Sequence, residues 1–145
     1  MQEFIDLWKE GRTRFSKLLI TIQETDLTKH LGNSPNSAGF LIRHIAEVEL
    51  LFAKNVFGLQ DVKIVAKTLI AGKDTGEWTN LGELVYFEQY AFETLEKAIS
   101  EQDNWNEIIE TKEFGKRTRA EALGRITTHT AYHAGQLAII LKYGN

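Results

Sequence analysis

The spacing of the apolar residues is the feature that most limits the folds open to this chain. Over most of its length they recur at intervals of three and four residues, the repeat of a helix with one buried face, and few segments alternate as strands do. Proline, which interrupts helices, occurs once, at Pro35. The pattern therefore predicts an all-α protein.

Four long helices follow from this repeat and from the residues that typically begin and end helices. The predicted bounds are from near the start to about Thr25, from Asn36 or Ser37 to near Gly58, from Asn80 to about Glu101, and from Thr118 to about Lys142. Asn80 and Thr118 are each followed three residues later by glutamate, as in a capping box, which supports the last two starts. Four helices with neither internal repeats nor a linker predict a single four-helix bundle domain over residues 1–145.

Two connecting segments carry weaker patterns. The long segment between the second and third helices, from Gly58 to Thr79, contains apolar residues that suit either a short helix or an extended segment, followed by a loop at Ala71–Gly76. The stretch from Trp105 to Lys116 fits either a short hairpin or an ordered loop. Both alternatives stay open in each segment.

Charge and hydropathy argue against several partners. The net charge of −3 lacks the basic excess typical of a nucleic-acid binder, and the basic run at Lys116–Arg119 is interpreted as a solvated loop and helix start. The longest apolar stretch, Leu137–Leu141, is far shorter than the roughly 20 residues of a membrane span, and the acidic, amphipathic start is unlike a secretory signal. We therefore expect a cytoplasmic protein with no nucleic-acid or membrane partner.

Three of the four histidines lie on stripes that face the interior of the predicted bundle. His129 and His133 are four residues apart in the last helix, which places their Cβ atoms about 5–6 Å apart on one face. Both rings can therefore reach one ion at the zinc–nitrogen distance of about 2.0–2.1 Å, and His44, from the second helix, supplies a third ligand. Three protein ligands with an open fourth position are typical of a reactive metal site. The stripes thus predict one divalent metal ion on these three histidines.

Core histidines that bond to backbone carbonyls are the alternative interpretation, and a pair four residues apart also arises by chance. Burial of an unpartnered polar ring costs about 1–3 kcal/mol, however, and a shared ion would remove that cost. His30 is interpreted differently. It lies at the predicted end of the first helix, where a positive charge suits the helix dipole, and we expect it to be structural or exposed.

The residues around the three histidines resemble the DinB/YfiT-like superfamily. The two matching segments are Phe40–Glu47, which contains His44, and the more specific His129–Gln136, in which a histidine pair four residues apart is followed by glycine and glutamine. Length, helix number and the long segment between the second and third helices agree as well, so the resemblance covers essentially the whole chain. Family sequences often have arginine after the last histidine, where this chain has Ala134.

The resemblance implies a four-helix bundle with a non-standard chain order, a three-histidine site for zinc, nickel or a similar ion, and frequently a homodimer. Some relatives use a low-molecular-weight thiol, such as bacillithiol or mycothiol, to transfer or isomerise a substrate. The leading interpretation is accordingly a metal-dependent enzyme, a thiol-dependent S-transferase or hydrolase that acts on a small electrophile. Because this chain has no cysteine, the thiol would come from outside. A non-catalytic metal-binding protein and a helical interaction module are the alternatives.

Glu47 and Gln136 are the candidate catalytic residues beside the metal. Glu47 lies one turn after His44 and can orient a ligand, act as a general base or approach the ion, although a solvated glutamate fits the spacing equally well. Gln136, one turn beyond His133, can hydrogen-bond in the site, and Gly135 can allow close helix packing. A di-iron bundle is rejected, because it needs Glu-x-x-His on two helices and inward-facing glutamates, whereas the inner stripe of the third helix is interpreted as apolar.

Overall fold

The structure is a computed structural model that describes residues 2–145. Its helices and strands, in chain order, are α1 (Gln2–Thr21), α2 (Ala38–Leu51), α3 (Lys67–Ala71), α4 (Leu81–Ser100), β1 (Ile108–Thr111), β2 (Gly115–Thr118) and α5 (Arg119–Tyr143). A 3₁₀ turn at Glu24–Asp26 follows α1, and a π-helical turn at Phe52–Val56 prolongs α2. The predicted helical fold built on four long helices is confirmed. Among residues 2–145, no helix combines the length and the apolar character that a membrane span requires.

The four long helices form a bundle in which neighbours in the chain are not always neighbours in space. Helix α1 packs against α5 and α4, and α2 packs against the same two helices, so that α1 lies diagonal to α2 and α4 lies diagonal to α5. The starts of α1 and α5 share an apolar cluster with the ends of α2 and α4. Helices α1 and α5 therefore run in one direction and α2 and α4 in the other. This is the non-standard chain order that the family resemblance implies.

Side-chain caps begin the three later long helices where the sequence predicts them. Ser37 accepts a hydrogen bond from the backbone of Phe40, and Asn80 accepts one from the backbone of Glu83. Thr118 and Glu121 form a reciprocal capping box at the start of α5. Each such cap stabilises a helix by about 1 kcal/mol, because it satisfies an N–H group that has no partner within the helix.

The end of the first helix differs from the prediction. Helix α1 ends at Thr21, before the expected Thr25, because the chain turns at a separate capping box formed by Gln23 and Asp26. His30 consequently lies in the loop that follows and not at a helix end, so the helix-dipole explanation for this residue is wrong. Its ring Nδ1 donates instead to the backbone oxygen of Thr28 at 2.8 Å, and the side chain is half-exposed.

The two ambiguous segments are resolved in favour of short regular elements. The segment from Gly58 to Thr79 contains the short helix α3, and the predicted loop follows it. The later segment forms an antiparallel hairpin in which Ile108 lies opposite Thr118. Its turn uses Gly115 at a φ of +70°, a backbone conformation that glycine adopts without strain.

The buried core consists of two apolar clusters with polar side chains between them. The first cluster includes Trp8, Leu50, Leu95 and Ile126, and the second includes Phe15, Ile42, Leu84 and Leu137. Near the boundary, one buried polar residue from each long helix joins a single hydrogen-bonded group, which we call the polar layer: Arg12, Glu49, Glu88 and Thr130. Because Glu88 belongs to α4, the interpretation of the third long helix as purely apolar on its inner side is wrong.

Candidate metal centre

The three predicted ligands come together where the antiparallel helices α2 and α5 pack against each other. His44 projects from α2, and His129 and His133 project from successive turns of α5. One ring nitrogen of each histidine lies within 4.8 Å of the others. All three side chains are half-buried, so the group is partly enclosed by protein and partly exposed.

The spacing of these nitrogens suits a single ion. The Nε2 atoms of His44 and His129 are 3.2 Å apart. Two nitrogens on one tetrahedral zinc ion would lie about 3.3 Å apart, given bonds of about 2.0–2.1 Å. Within residues 2–145 this is the only group of three or more histidine or acidic side chains with such spacing, and it includes no carboxylate. An ion bound here would therefore keep at least one coordination position for another ligand.

Gln136 determines which nitrogen of His133 faces the centre. The His133 Nδ1 atom lies 2.6 Å from Oε1 of Gln136, an oxygen that can only accept. His133 therefore carries its proton on Nδ1, and the lone pair of Nε2 is left for an ion. The prediction that Gln136 forms a hydrogen bond in the site agrees with this contact, and its effect is to orient the His133 ring.

Glu47 acts on His44 through a residue that sequence patterns did not single out. Glu47 is fully buried, which contradicts the alternative of a solvated glutamate. Its carboxylate accepts a hydrogen bond from the hydroxyl of Thr68, and that hydroxyl oxygen lies 3.2 Å from His44 Nδ1. Arg43 holds the second carboxylate oxygen at 2.7 Å. Glu47 is therefore connected to the His44 ring only through Thr68. Thr68 lies 24 residues from His44 in a weakly patterned segment, so no spacing rule could have identified it.

His129 is the candidate ligand whose Nδ1 has no such hydrogen bond within residues 2–145. Its Nδ1 atom is buried and finds no hydrogen-bond partner among the described residues. Its Nε2 atom faces His44, whose own Nε2 carries no proton when Nδ1 donates to Thr68. In the metal-free protein, His129 Nε2 can therefore donate a hydrogen bond to His44 Nε2. With an ion present, both nitrogens can offer lone pairs.

The surroundings keep all three rings in the neutral form that binds metals. Burial lowers the pKa of His44 to about 4, assisted by the neighbouring His133 and opposed by Glu47. Burial lowers the pKa of His129 to about 3, again assisted by the other two histidines. The pKa of His133 is also lowered by burial, against the effect of its bond to Gln136. Near neutral pH, protons therefore compete little with a metal ion for these nitrogens.

Two further residues of α5, Gly135 and Tyr132, lie close in sequence to His133. Gly135 is exposed, and a Cβ atom added there would meet open space, so its predicted role in close helix packing is wrong. The ring of Tyr132 is 66% exposed and stands edge-on to His133, with 5.2 Å between the ring centroids. Tyr132 thus lies beside His133 at the protein surface.

A small cavity adjoins the centre on the side of Gln136. Its volume is about 140 Å³, and its lining residues are Leu31, Ser34, Asn36, Leu41, Gln136, Ile139 and Ile140. None of the three histidines lines this cavity, and Gln136 connects it to the site through the hydrogen bond to His133 Nδ1. Its walls are mainly apolar with a few polar groups, as in sites for small organic molecules.

Comparisons with known proteins agree with this architecture. The family model of the DinB superfamily matches residues 7–137. The crystal structure of YjoA, a DinB-like protein from Bacillus subtilis, matches with a TM-score of 0.71 over 97% of this chain and 90% of that chain, at 16% sequence identity. Among curated proteins, none matches this chain in sequence. On the evidence of the family model, which spans most of its length, the chain belongs to the DinB superfamily.

Proposed function

We propose that this protein is a metal-dependent enzyme that holds one divalent ion on His44, His129 and His133. In this proposal it acts on a small electrophile, as an S-transferase that uses a low-molecular-weight thiol or as a hydrolase. The observation that carries the proposal is the convergence of three ring nitrogens whose spacing suits one ion.

The chain's own residues prepare the site for an ion with a free coordination position. Gln136 and Thr68 each engage the Nδ1 atom of a ligand, which directs Nε2 of His133 and of His44 inward. Hydrogen bonds to the outer nitrogen of a ligating histidine are a general feature of metal sites, because they fix the tautomer and the orientation of the ring. Zinc and nickel are the first candidates, since both accept imidazole ligands.

An ion with three neutral ligands would supply Lewis-acid chemistry, by lowering the pKa of bound water towards about 7 or by holding a thiol in its nucleophilic thiolate form. The chain has no cysteine, so a thiol must be a second substrate. The cavity of about 140 Å³ beside Gln136 is smaller than the roughly 300–1,000 Å³ of sites for drug-sized ligands. A substrate held in this cavity, which reaches the site through Gln136, would be small and mainly apolar, in keeping with the size and the mainly apolar lining.

The metal site is tested by elemental mass spectrometry of untagged protein purified without chelator, beside His133→Ala and His30→Ala. We expect about one divalent ion per chain in the unaltered protein and in His30→Ala, and substantially less in His133→Ala. His30 is the matched control because it lies in the loop after α1. Absence of bound metal, together with failure to take up added zinc or nickel, would refute the site.

The reaction class is tested with the loaded protein. Bacillithiol or mycothiol would be offered with an epoxide, an activated alkene and an alkyl halide in turn, and esters would be offered without thiol. Metal-free protein and His133→Ala are the controls. Turnover that exceeds the uncatalysed rate only in the metal-loaded protein would support metal-dependent enzymatic activity. A bound ion with no turnover and no thiol binding would favour a non-catalytic metal-binding protein instead.

A further inference from the structure

The short helix α3 is joined to the bundle mainly through one polar residue. Thr68 is the only buried residue of α3, with 3% of its surface exposed. The two apolar residues that follow, Leu69 and Ile70, are 47% and 76% exposed. Apolar burial therefore contributes little to holding α3, and the hydrogen bonds of Thr68 carry most of the attachment.

All of these hydrogen bonds lead to the metal site. The backbone N–H of Thr68 donates to Oε2 of Glu47 at 2.9 Å, and the Thr68 hydroxyl donates to the same oxygen. A carboxylate can only accept, so the single hydroxyl proton is committed to Glu47. The lone pairs of the hydroxyl oxygen are then left to accept from His44 Nδ1 at 3.2 Å. The direction of each hydrogen bond from His44 through Thr68 to Glu47 is thereby fixed.

Building on the proposed metal site, we propose that Thr68 is a positioning residue whose hydroxyl fixes the tautomer and orientation of His44, and that metal binding and the attachment of α3 to the bundle stabilise each other. The coupling follows from linkage. If detachment of α3 removes the hydrogen-bond partner of His44, the affinity of the site for the ion falls. Bound metal must then raise the free energy of detaching α3 by the same amount. The attachment of α3 to the bundle is thus more stable when the site holds metal than when it is empty.

The hydroxyl's role is tested by the affinity of zinc for Thr68→Val, Thr68→Ser and the matched control Thr75→Val, in competition with a coloured chelator. Thr75 lies in the same segment and its hydroxyl also donates to a carboxylate, that of Glu77, but this pair is exposed. We expect Thr68→Val to bind zinc about 10–100-fold more weakly, the usual effect of losing an outer partner of a ligand. Thr68→Ser, which retains the hydroxyl, and Thr75→Val should stay within about threefold of the unaltered protein.

Cobalt provides a readout that a general loss of structure would not imitate. The visible absorption of cobalt-loaded Thr68→Val should differ from that of the unaltered protein, because His44 is free to rotate, whereas Thr68→Ser should restore the spectrum. If Thr68→Val is folded and binds zinc within threefold of the unaltered protein, the inference is overturned while the metal site stands. If the unaltered protein binds no metal, the proposed function fails first and the inference fails with it.

A second measurement needs no substitution at all. Hydrogen exchange of the Thr68 amide, which donates to Glu47, would be followed in the unaltered protein with and without zinc. The amide of Phe114, which donates to Thr111 in the hairpin, serves as an internal control. We expect zinc to slow exchange at Thr68 by about tenfold or more and to change exchange at Phe114 much less. Equal rates at Thr68 in the two states would overturn the coupling.

Discussion

Arg12 on α1 and Glu49 on α2 form a buried ion pair across the diagonal of the bundle, through two hydrogen bonds of 2.9 Å. Arg12 is 2% exposed and Glu49 is fully buried. Glu88 on α4 binds the same guanidinium, and Thr130 on α5 donates to Glu49 at 3.1 Å. Burial lowers the pKa of Arg12, but the charges of Glu49 and then Glu88 outweigh it and raise that pKa above its ordinary value. One cation thus links side chains from all four long helices.

Substitution of this arginine should destabilise the fold strongly. Arg12→Met leaves two carboxylates buried without their cation, so we expect the free energy of unfolding to fall by about 3–5 kcal/mol. Urea denaturation of the metal-free protein measures the change. Lys9→Met is the control, because Lys9 pairs with Glu96 at the surface, where the two side chains are 42% and 34% exposed. The free energy of unfolding of Lys9→Met should fall by less than about 1 kcal/mol. An equally small fall in Arg12→Met would contradict the prediction.

The buried histidines should make the stability of the metal-free protein depend on pH. Their folded pKa values of about 4 for His44 and about 3 for His129 lie below the ordinary 6.5, so at acidic pH the unfolded chain binds protons that the folded chain does not. Their contribution to stability is therefore fully present above about pH 6.5 and is lost as the pH falls towards 4 and 3. We expect the chelator-treated protein to melt at a lower temperature at about pH 5 than at about pH 7.5.

Variants separate this effect from that of other groups. The double variant His44→Gln/His129→Gln should show a smaller drop in melting temperature between the two pH values, whereas His30→Gln should resemble the unaltered protein. Burial raises the pKa of Glu88, against the effect of Arg12, so Glu88 contributes in the opposite sense, with stability that declines as the pH rises above about 4.5. A drop that is identical in the double variant and the unaltered protein would count against the assignment to these histidines.

Gln136 should influence metal affinity without contacting the ion. Gln136→Leu removes the acceptor that holds His133 Nδ1, so we expect zinc to bind about 10–100-fold more weakly in chelator competition. Gln136→Glu retains an acceptor and should bind within about tenfold of the unaltered protein. The matched control is Gln89→Leu, on the exposed face of α4, where the glutamine bonds only to Glu93. Unchanged affinity in Gln136→Leu would show that the hydrogen bond does not orient the ring.

Two glycines should respond in opposite ways to the same substitution. A Cβ atom on Gly11 would lie 2.1 Å from Cγ2 of Thr127, where α1 and α5 approach closely, and Thr127 is held by its own bond to Leu123. Gly11→Ala should therefore lower the free energy of unfolding by about 1–3 kcal/mol. Gly135→Ala meets open space within a helix and should raise it by up to about 1 kcal/mol. Thermal or urea unfolding of the two variants checks both signs, and destabilisation by Gly135→Ala would contradict the prediction.

The parts of the fold that depend on local patterns were predictable from the sequence. The apolar repeat gave the four long helices, and residues such as Ser37 and Thr118 marked their starts because capping is a local interaction. Helical spacing made it predictable that His129 and His133 share a face, and the interior stripe of the second helix together with the family resemblance added His44. The proposed single domain, homodimer and cytoplasmic location stay predictions.

The polar interactions between distant segments were not predictable in the same way. Arg12 and Glu49 look like ordinary surface charges within their helices, and only the packing of four helices shows that each neutralises the other. Thr68 reaches His44 because α3 folds back over α2, which no repeat encodes. The 3₁₀ turn that shortens α1 likewise depends on a bond between Gln23 and Asp26.

The polar layer also bears on how such a bundle can acquire new chemistry. Thr130, a member of that layer, directly follows His129, so this candidate ligand lies at a level of the bundle where the core is already interrupted by charges and hydrogen bonds. A polar substitution one or two turns away would disrupt one of the two apolar clusters, whereas a substitution at this level meets surroundings that are already polar. For protein engineering, positions beside the layer are therefore the place to vary ligands or introduce a fourth, while Arg12, Glu49 and Glu88 themselves stay unchanged. The two flanking clusters can remain unchanged and keep the helices in register.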